Sequence, residues 1–360
     1  MACLPNTPPG RHAAHAACFN RFTLPLSRVT KTSGSSNRKR WIAALRLVVG
    51  AAIFATILRY LLPSWSELTA QVQLDPFFLG VGLLGAGLAH VAVAARWKLL
   101  SESMGGTPLS FWAYLHSLLV TRFLGQFVSS LAMDLVGRGV ALRAAGSQRG
   151  IGHATTLVVL ERIFDLVLPV LLLVWALGVR QFGMEDSAAV LLLVGTVAFV
   201  LVATPGLRPL ARLALSVYGR LRRKDVGELP DEITVPISFQ VATLSVFRFA
   251  SVLLQFIGIG AGIGLILPWS DWAAATPIAQ LTGMVGVTPG GLGVVEAGWW
   301  AGLAWVGVEE QRIGLFLLAQ RTALIAFLGS LALLSWPPAR AALRRMKASA
   351  PNTPEADTDA

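Results

Sequence analysis

Residues 77–97 have the sequence FFLGVGLLGAGLAHVAVAARW, which as a helix is long enough to cross the roughly 30 Å hydrocarbon core of a bilayer. Comparable apolar runs recur from Trp41 almost to Pro337. In the whole chain 54% of the residues are hydrophobic and 14% are charged, a balance that excludes an ordinary soluble protein. The expected fold class is therefore all-α, a polytopic helical bundle in a membrane.

Eight apolar segments make up the expected bundle. We predict six full spans, near residues 42–62, 77–97, 152–178, 187–205, 236–267 and 313–336. Two further segments are interrupted: residues 109–133 by Arg122, Gly125 and Gln126, and residues 273–308 by the sequence TPGGLG at 288–293. Backbone that is broken and exposed to lipid lacks hydrogen-bond partners. Each interrupted segment is therefore predicted to fold as a hairpin of two short helices.

Two tails flank the expected transmembrane domain, residues 41–337. Residues 1–40 are basic and contain no acidic residue, which is typical of a disordered cytoplasmic tail, and residues 338–360 form a second short tail. A cleaved signal peptide fits poorly, because the apolar run from Ile42 is long and is followed by no small-residue cleavage site. An organellar transit peptide, or a start assigned too far upstream, are open alternatives. Both cysteines, Cys3 and Cys18, lie in the first tail and so form neither a staple of the membrane domain nor a metal site.

The distribution of basic residues predicts the orientation. The net charge is +11, but the basic residues stand between apolar runs, which favours a membrane surface over nucleic acid. If both hairpins enter and leave on one side, the loops 96–108, 134–150 and 206–235 lie on the same face as the two tails. That face carries 22 Lys or Arg, whereas the opposite loops carry two, Arg180 and Arg312. The positive-inside rule then places both termini in the cytoplasm. If the first interrupted segment crossed once, the later loops would invert.

Charged residues within the apolar segments mark the candidate site. Each costs at least ~2.5 kcal/mol at the centre of a membrane unless it finds a partner or water. Glu161 and Asp165 are four residues apart on one helix and Arg162 lies between them, so the three form one inward-facing polar cluster. That cluster is either an amphiphile-binding surface or a salt-bridge network that fixes helix packing. The other charges of this kind are Arg122, Arg248, Glu296 and Arg321.

Two short segments add candidate binding residues. Asp134, Arg138 and Arg143 follow the first hairpin, and guanidinium groups suit bidentate contact with phosphate, although ordinary positive-inside charge is the alternative. In the second hairpin, Pro289 stops one helix, and Gly290 and Gly291 permit a tight turn. The next helix would then present free N–H groups to an anion. Glu296 as a simple helix cap, and a kink without ligand, are the alternatives here.

The two hairpins also suggest an internal repeat. The first is followed by a helix with the sequence LERIFDL at 160–166, and the second by a helix with LAQRTAL at 318–324. In the topology above, one unit starts in the cytoplasm and the other starts outside, as in the inverted repeats of many transporters. The sequence similarity between the halves is weak, so a chance likeness is the alternative.

These motifs, in this order, resemble the flippase-like membrane region of the bacterial lysylphosphatidylglycerol synthase family, over about residues 42–336. The resemblance implies an inner-membrane protein that moves an anionic or aminoacylated lipid between leaflets. The soluble aminoacyl-transfer domain of the synthase is absent, so lysine transfer is not expected. The residues expected to bind substrate are Arg122, Gln126, Asp134, Arg138, Arg143, Glu161, Arg162, Asp165, Pro289, Gly290, Gly291, Glu296 and Arg321.

Other functional classes have less support in the sequence. The five histidines, His12, His15, His90, His116 and His153, lack metal-ligand spacing, and no metal, cofactor or catalytic residue is expected. The alternatives are an enzyme or accessory factor for polyprenyl-phosphate-linked sugars, and a secondary transporter of a small solute. The expected partners are phosphate-bearing membrane lipids and no nucleic acid, with a second copy or a separate lipid-modifying enzyme as further partners.

Overall fold

The computed structural model describes Thr56, Arg59 and residues 74–145, 147, 151–184, 186–203, 234–285, 288 and 290–349. These residues form helices and no strand, and all of them lie within the compact unit Leu45–Ala360. The predicted tail 1–40, most of the span 42–62, most of the loop 206–235, Arg149 and Pro289 lie outside the described residues. In chain order the helices are α1 Pro76–Ser103, α2 Phe111–Leu124, α3 Ser130–Ala132, α4 Arg138–Ala144, α5 Ile151–Phe182, α6 Asp186–Ala203, α7 Val235–Gly262, α8 Trp269–Val285, α9 Val294–Trp305 and α10 Glu310–Ser349, with a π-helical turn at Met133–Gly137.

Long apolar helices support a membrane location. Among the described residues, three helical segments are long and apolar enough to cross a bilayer: Pro76–Ser103, Val235–Gly262 and Glu310–Arg345. A shorter apolar segment spans Ser187–Val202. Exposed apolar side chains cover the outer faces of the helices, as Leu84, Val174, Leu191 and Leu333 illustrate, which is the surface that a bilayer rather than water accommodates.

Tryptophans mark the two ends of the bundle. Trp336, near the end of α10, packs against His116 of α2 with ring centroids 5.2 Å apart. At the other end, the Arg180 guanidinium lies 5.0 Å from the centre of the Trp305 ring. The start of α10 and Trp336 are roughly 40 Å apart along the helix, close to the thickness of a bilayer with its head-group regions. Such aromatic belts are typical of membrane interfaces.

Both interrupted segments fold as helical hairpins, as the breaks in the sequence predicted. Helix α2 begins at the cap Ser110, whose hydroxyl accepts from the Ala113 N–H, and it ends at Gly125. The chain then turns and returns through α3, the π turn and α4. In the second hairpin, α8 and α9 pack closely enough that a Cβ on Gly302 would lie 2.8 Å from the Ala275 carbonyl oxygen.

The hairpins enter from opposite ends of the bundle. His116 of α2 contacts Ser335 of α10, 2.9 Å apart, so the first hairpin starts at the Trp336 end. Arg180, at the end of α5, forms an ion pair of 2.9 Å with Asp271 at the start of α8, so the second hairpin starts at the opposite end. Opposite entry is the geometry expected of an inverted repeat.

The contacts between helices are also equivalent in the two halves of the bundle. The helices that precede the hairpins, α1 and α7, pack antiparallel, with Gly85 against Gln255 and Asp75 bonded to Gly262. The helix that follows each hairpin packs against the first helix of the other hairpin: α10 against α2, and α5 against α8. Aromatic side chains fill the interior on both sides, such as Trp97 with Tyr114 and Trp272 with Phe316.

Two sequence-based assignments of loops were wrong. The loop expected at residues 96–108 starts only after Ser103, because α1 runs to that residue. Arg96 therefore lies inside the bundle with 1% of its surface exposed. The loop expected at residues 134–150 is helical as far as Ala144 and forms the returning part of the first hairpin, and Arg138 is as buried as Arg96. Neither arginine therefore contributes to the charge of a loop. Without these two arginines, the face predicted to be cytoplasmic still carries a large excess of Lys and Arg.

Candidate functional site

The tips of the two hairpins touch at the centre of the bundle. The Gly290 N–H donates to the carbonyl oxygens of Gly125 at 2.8 Å and Val128 at 3.1 Å. Gly290 has a φ of 56°, a conformation that suits glycine, and a Cβ there would lie 2.8 Å from the Gln126 carbonyl oxygen. Gly290 is therefore required first for the contact between the two hairpins. A Gly290→Val variant would break that contact.

Arg321 and Glu296 hold the second hairpin tip in place. The Arg321 guanidinium donates to the Gly290 carbonyl oxygen at 2.9 Å and lies 3.5 Å from the Glu296 carboxylate. Glu296 in turn accepts the Gly293 N–H at 2.8 Å, which caps the start of α9. Both side chains are buried and act on the geometry of the turn.

The expectation of free N–H groups at the start of α9 was wrong. The Gly293 N–H donates to Glu296, and the N–H groups of Val294 and Val295 donate to the Gly291 carbonyl oxygen at 3.1 and 3.0 Å. The Ala297 N–H donates to Gly293. The chain itself thus uses these donors, and Glu296 takes the place that an anion would occupy.

A buried carboxylate, Asp134, organises three arginines around the first hairpin. Arg122 lies 3.6 Å and Arg138 3.1 Å from its oxygens, and Arg162 forms a third ion pair with it. The Asp134 side chain is 2% exposed, whereas those of Arg122 and Arg162 are 28% and 27% exposed. The carboxylate therefore stands behind these two guanidinium groups and orients them toward open space.

Asp165 and Glu161 extend the network behind the exposed arginines. Asp165 contacts Arg96 at 2.7 Å and Arg248 at 3.2 Å, and Glu161 contacts Arg138 at 2.6 Å. The cluster then contains five arginines and three carboxylates, an excess of two positive charges. The cluster is therefore a salt-bridge network, one of the two alternatives from the sequence, and it also supports the partly exposed guanidinium groups of Arg122 and Arg162.

A cavity of about 210 Å³ lies where the hairpin tips meet. Arg122, Arg162 and Arg248 give it a cationic wall, and no Asp or Glu is among its described lining residues. Another part of the lining is apolar and includes Phe256, Trp299 and Leu324. The remaining polar lining residues are His90, Gln126, Ser130, Gln255, Gln280 and Gln320. Such a cavity offers cationic donors to an anionic group and an apolar surface to its carbon skeleton.

The structure divides the residues predicted from the sequence into three sets. Those that line the cavity are Arg122, Gln126, Arg162, Gly290 and Gly291. Those that support the lining are Asp134, Arg138, Glu161, Asp165, Glu296 and Arg321. Arg143 is exposed in the last turn of α4 and is not among the lining residues, and Pro289 lies outside the described residues.

Several important residues were not in the predicted site. Arg96 was assigned to a loop, because it comes at the end of an apolar run, and Arg248 was recognised only as an intramembrane charge. Gln255, Gln280 and Gln320 were overlooked, although an amide within an apolar helix also costs free energy without a partner. The presence of three such glutamines in separate apolar helices is the sequence signal that could have identified this part of the cavity lining.

Comparison with known proteins identifies the family to which the chain belongs. The family model described as the lysylphosphatidylglycerol synthase TM region matches residues 41–333, which include every described residue that lines the cavity. A search of curated proteins found no match. The matched range covers most of the chain and contains both hairpins and the charged cluster between them. The chain belongs to the family of the lysylphosphatidylglycerol synthase transmembrane region.

Proposed function

We propose that this protein translocates an anionic or aminoacylated lipid between the leaflets of a bacterial inner membrane. The observation that carries the proposal is the cavity between the hairpin tips, where three arginines face the space and no described carboxylate does. A lipid phosphate is the anion that is abundant at a membrane, and arginine binds it through paired hydrogen bonds.

The size of the cavity fits a head group better than a whole lipid. Its volume of about 210 Å³ is below the roughly 300 Å³ at which drug-sized ligand pockets begin. The acyl chains would therefore stay in the bilayer while the head group crosses. Phe256, Trp299 and Leu324 in the lining provide an apolar path for the carbon atoms next to the phosphate.

The topology that supports this transport has six full spans and two hairpins, with both termini in the cytoplasm. The first hairpin would enter from the cytoplasm and the second from the outer face. Their tips meet in the middle, so the cavity lies between the two repeats. A rocking motion of one repeat against the other would open the cavity to one side of the membrane and then to the other. Such motion would expose the three arginines to each leaflet alternately.

The test is lipid exchange in proteoliposomes. Purified protein is reconstituted with acyl-labelled fluorescent phosphatidylglycerol, and a membrane-impermeant quencher reports the lipid that reaches the outer leaflet. Arg162→Ala and Arg248→Ala should each lower the rate at least tenfold, about 1.4 kcal/mol, which is the effect of losing roughly one charge-assisted hydrogen bond. Arg312→Ala is the matched control, because Arg312 lies on the exposed surface at the start of α10.

Two results would contradict the proposal. Exchange no faster than in protein-free liposomes would exclude lipid translocation under these conditions. A normal rate in a well-folded Arg162→Ala variant would remove that arginine from the path. Small labelled anions are tested in parallel, because uptake of phosphate without lipid exchange would instead identify a solute transporter.

A further inference from the structure

A second basic surface lies at the Trp336 end of the bundle, away from the cavity between the hairpin tips. Among the described residues, a groove of about 400 Å³ is bordered there by Trp336, Pro337, Arg340, Ala341 and Arg344 of α10. Gln320, which lines the central cavity, comes five to six turns earlier on the same helix, roughly 30 Å from Arg340. The groove is therefore separate from the cavity in which the translocated lipid is proposed to bind.

Helical spacing places an aromatic ring and two guanidinium groups on one face of α10. Trp336, Arg340 and Arg344 follow one another at intervals of four residues, which aligns side chains in a row along a helix. All three are exposed. Cβ atoms at this spacing are about 5–6 Å apart, so the two guanidinium groups can contact different oxygens of one phosphate. The face thus has donors for a phosphate and an apolar ring for the carbon atoms next to it.

The two arginines of the groove have no carboxylate to pair with. Neither forms an ion pair with a residue that the structure describes, and residues 311–349 contain no Asp or Glu. Each arginine that lines the central cavity, by contrast, is paired with Asp134 or Asp165. Exposed guanidinium groups without a carboxylate partner on one helix face favour an anion from outside the chain.

The depth of the groove in the membrane favours a phospholipid over a free anion. Trp336 lies where an aromatic belt is expected, at the border of the hydrocarbon core. Arg340 lies one turn farther out, about 6 Å along the helix axis, and the head-group region is roughly 5–7 Å thick on each side. The long side chain of Arg344 can reach back to the same level. The groove thus opens where the phosphates of anionic lipids concentrate at a cytoplasmic surface.

We infer that this groove binds the head group of an anionic phospholipid that stays in the cytoplasmic leaflet as a structural ligand. The phosphate contacts Arg340 and Arg344, and the adjoining glycerol carbons pack on Trp336. The Trp336 ring also contacts His116 of the first hairpin, with ring centroids 5.2 Å apart, so the bound lipid braces α2 against α10. The inference goes beyond lipid translocation and does not depend on it, because this lipid is bound and not moved.

The test counts the lipids bound to the detergent-solubilised full chain by native mass spectrometry during titration with dioleoyl phosphatidylglycerol. In the double variant Arg340→Ala, Arg344→Ala, one phosphatidylglycerol should bind at least tenfold more weakly than in the wild type, since both cationic contacts to its phosphate are lost. The double variant Arg143→Ala, Arg312→Ala is the matched control. It removes the same charge from exposed positions outside the groove and should bind phosphatidylglycerol as the wild type does.

Two further variants separate a specific site from the general attraction of a basic surface. Arg340→Lys, Arg344→Lys keeps the charge but loses the planar guanidinium groups, so it should weaken binding several-fold. Arg162→Ala, in the central cavity, should leave the lipid of the groove in place. The double alanine variant should melt at the wild-type temperature in phosphatidylcholine, because both side chains are exposed, and should be stabilised less by phosphatidylglycerol.

Unchanged phosphatidylglycerol binding in the double alanine variant would overturn the inference, as would binding in the double lysine variant that equals the wild type. Displacement of the lipid by millimolar inorganic phosphate or by a polyglutamate peptide would overturn the choice of a lipid as ligand. Loss of this lipid in Arg162→Ala would assign it to the central cavity instead. Lipid exchange in proteoliposomes tests translocation separately, so binding in the groove without exchange would support the inference and contradict the proposed function.

Discussion

At the scale of single residues, Asp134 shows how the bundle tolerates charge. It is contacted by three guanidinium groups, those of Arg122, Arg138 and Arg162, and Arg138 connects it to Glu161. Burying such groups costs solvation energy that their attraction only roughly offsets. The network is therefore weak as a source of stability, but the loss of Arg138 leaves Glu161 with only Arg96, 4.0 Å away.

Arg138→Met should destabilise the protein strongly. It leaves two buried carboxylates without their shared partner, and breaking a buried pair in this way costs about 3–5 kcal/mol. The double variant Arg138→Met, Glu161→Gln removes one charge of each sign and should recover part of the loss. Unfolding by sodium dodecyl sulfate titration measures both. If the double variant is no more stable than the single one, the pairing in this network is not what holds Arg138.

At this scale, the sequence could predict contacts only between residues that lie close together in the chain. Glu161, Arg162 and Asp165 lie within two turns of one helix, so helical periodicity alone placed them together. The pairing of Asp165 with Arg96, 69 positions earlier in the chain, depends on how α1 packs against α5. No local pattern carries that information, which is why Arg96 was missed.

At the scale of helices, the contact between α1 and α7 depends on small residues. A Cβ on Gly85 would lie 2.6 Å from the Gln255 backbone nitrogen, and one on Gly82 would lie 2.8 Å from that of Ile259. Gly258 faces Gly82 from the other side. Close approach of backbones through small residues is a common way to pack helices in a membrane.

Gly85→Val should separate α1 from α7 and lower the yield of folded protein. Overpacking typically costs about 1–3 kcal/mol, and here the contact is with backbone atoms, which cannot move aside. Gly80→Val is the matched control on the same helix, because a Cβ there has open space around it. Size-exclusion chromatography in mild detergent compares the two. Equal monodisperse yields would show that α1 and α7 do not pack as described.

The breaks in the hairpins were predictable, but their meeting was not. Gly125 and the Gly290 turn are marked in the sequence by glycine and proline, whose backbone properties are local. The hydrogen bond that joins them spans more than 160 positions and requires α2 to pack against α10 and α8 against α5. The inverted repeat could therefore be suggested by the sequence, whereas its close contact at the hairpin tips required the structure.

At the scale of the whole molecule, the bundle has one strongly basic end. Helix α10 continues past Trp336 and carries Arg340 and Arg344, whereas Glu309 and Arg312 lie at its opposite end. The positive-inside rule predicts that the Trp336 end faces the cytoplasm.

Cysteine labelling should confirm this orientation. In a background without Cys3 and Cys18, a cysteine at Glu309 should react with an impermeant thiol reagent in intact cells. A cysteine at Arg344, or at Arg222 in the predicted cytoplasmic loop, should react only after the membrane is permeabilised. Labelling of position 344 from outside would invert the topology, and with it the entry side of each hairpin.

The exchange of partners between the two repeats also has a consequence for biogenesis. Helix α2 finds its packing partner α10 only when the last transmembrane segment has left the ribosome, and Arg248 reaches Asp165 only after α7 has been inserted. Until then the carbonyl oxygens of Gly125 and Val128 at the tip of the first hairpin lack the Gly290 N–H that they accept in the folded protein. The first hairpin therefore acquires its full set of contacts only after the second half of the chain has been synthesised.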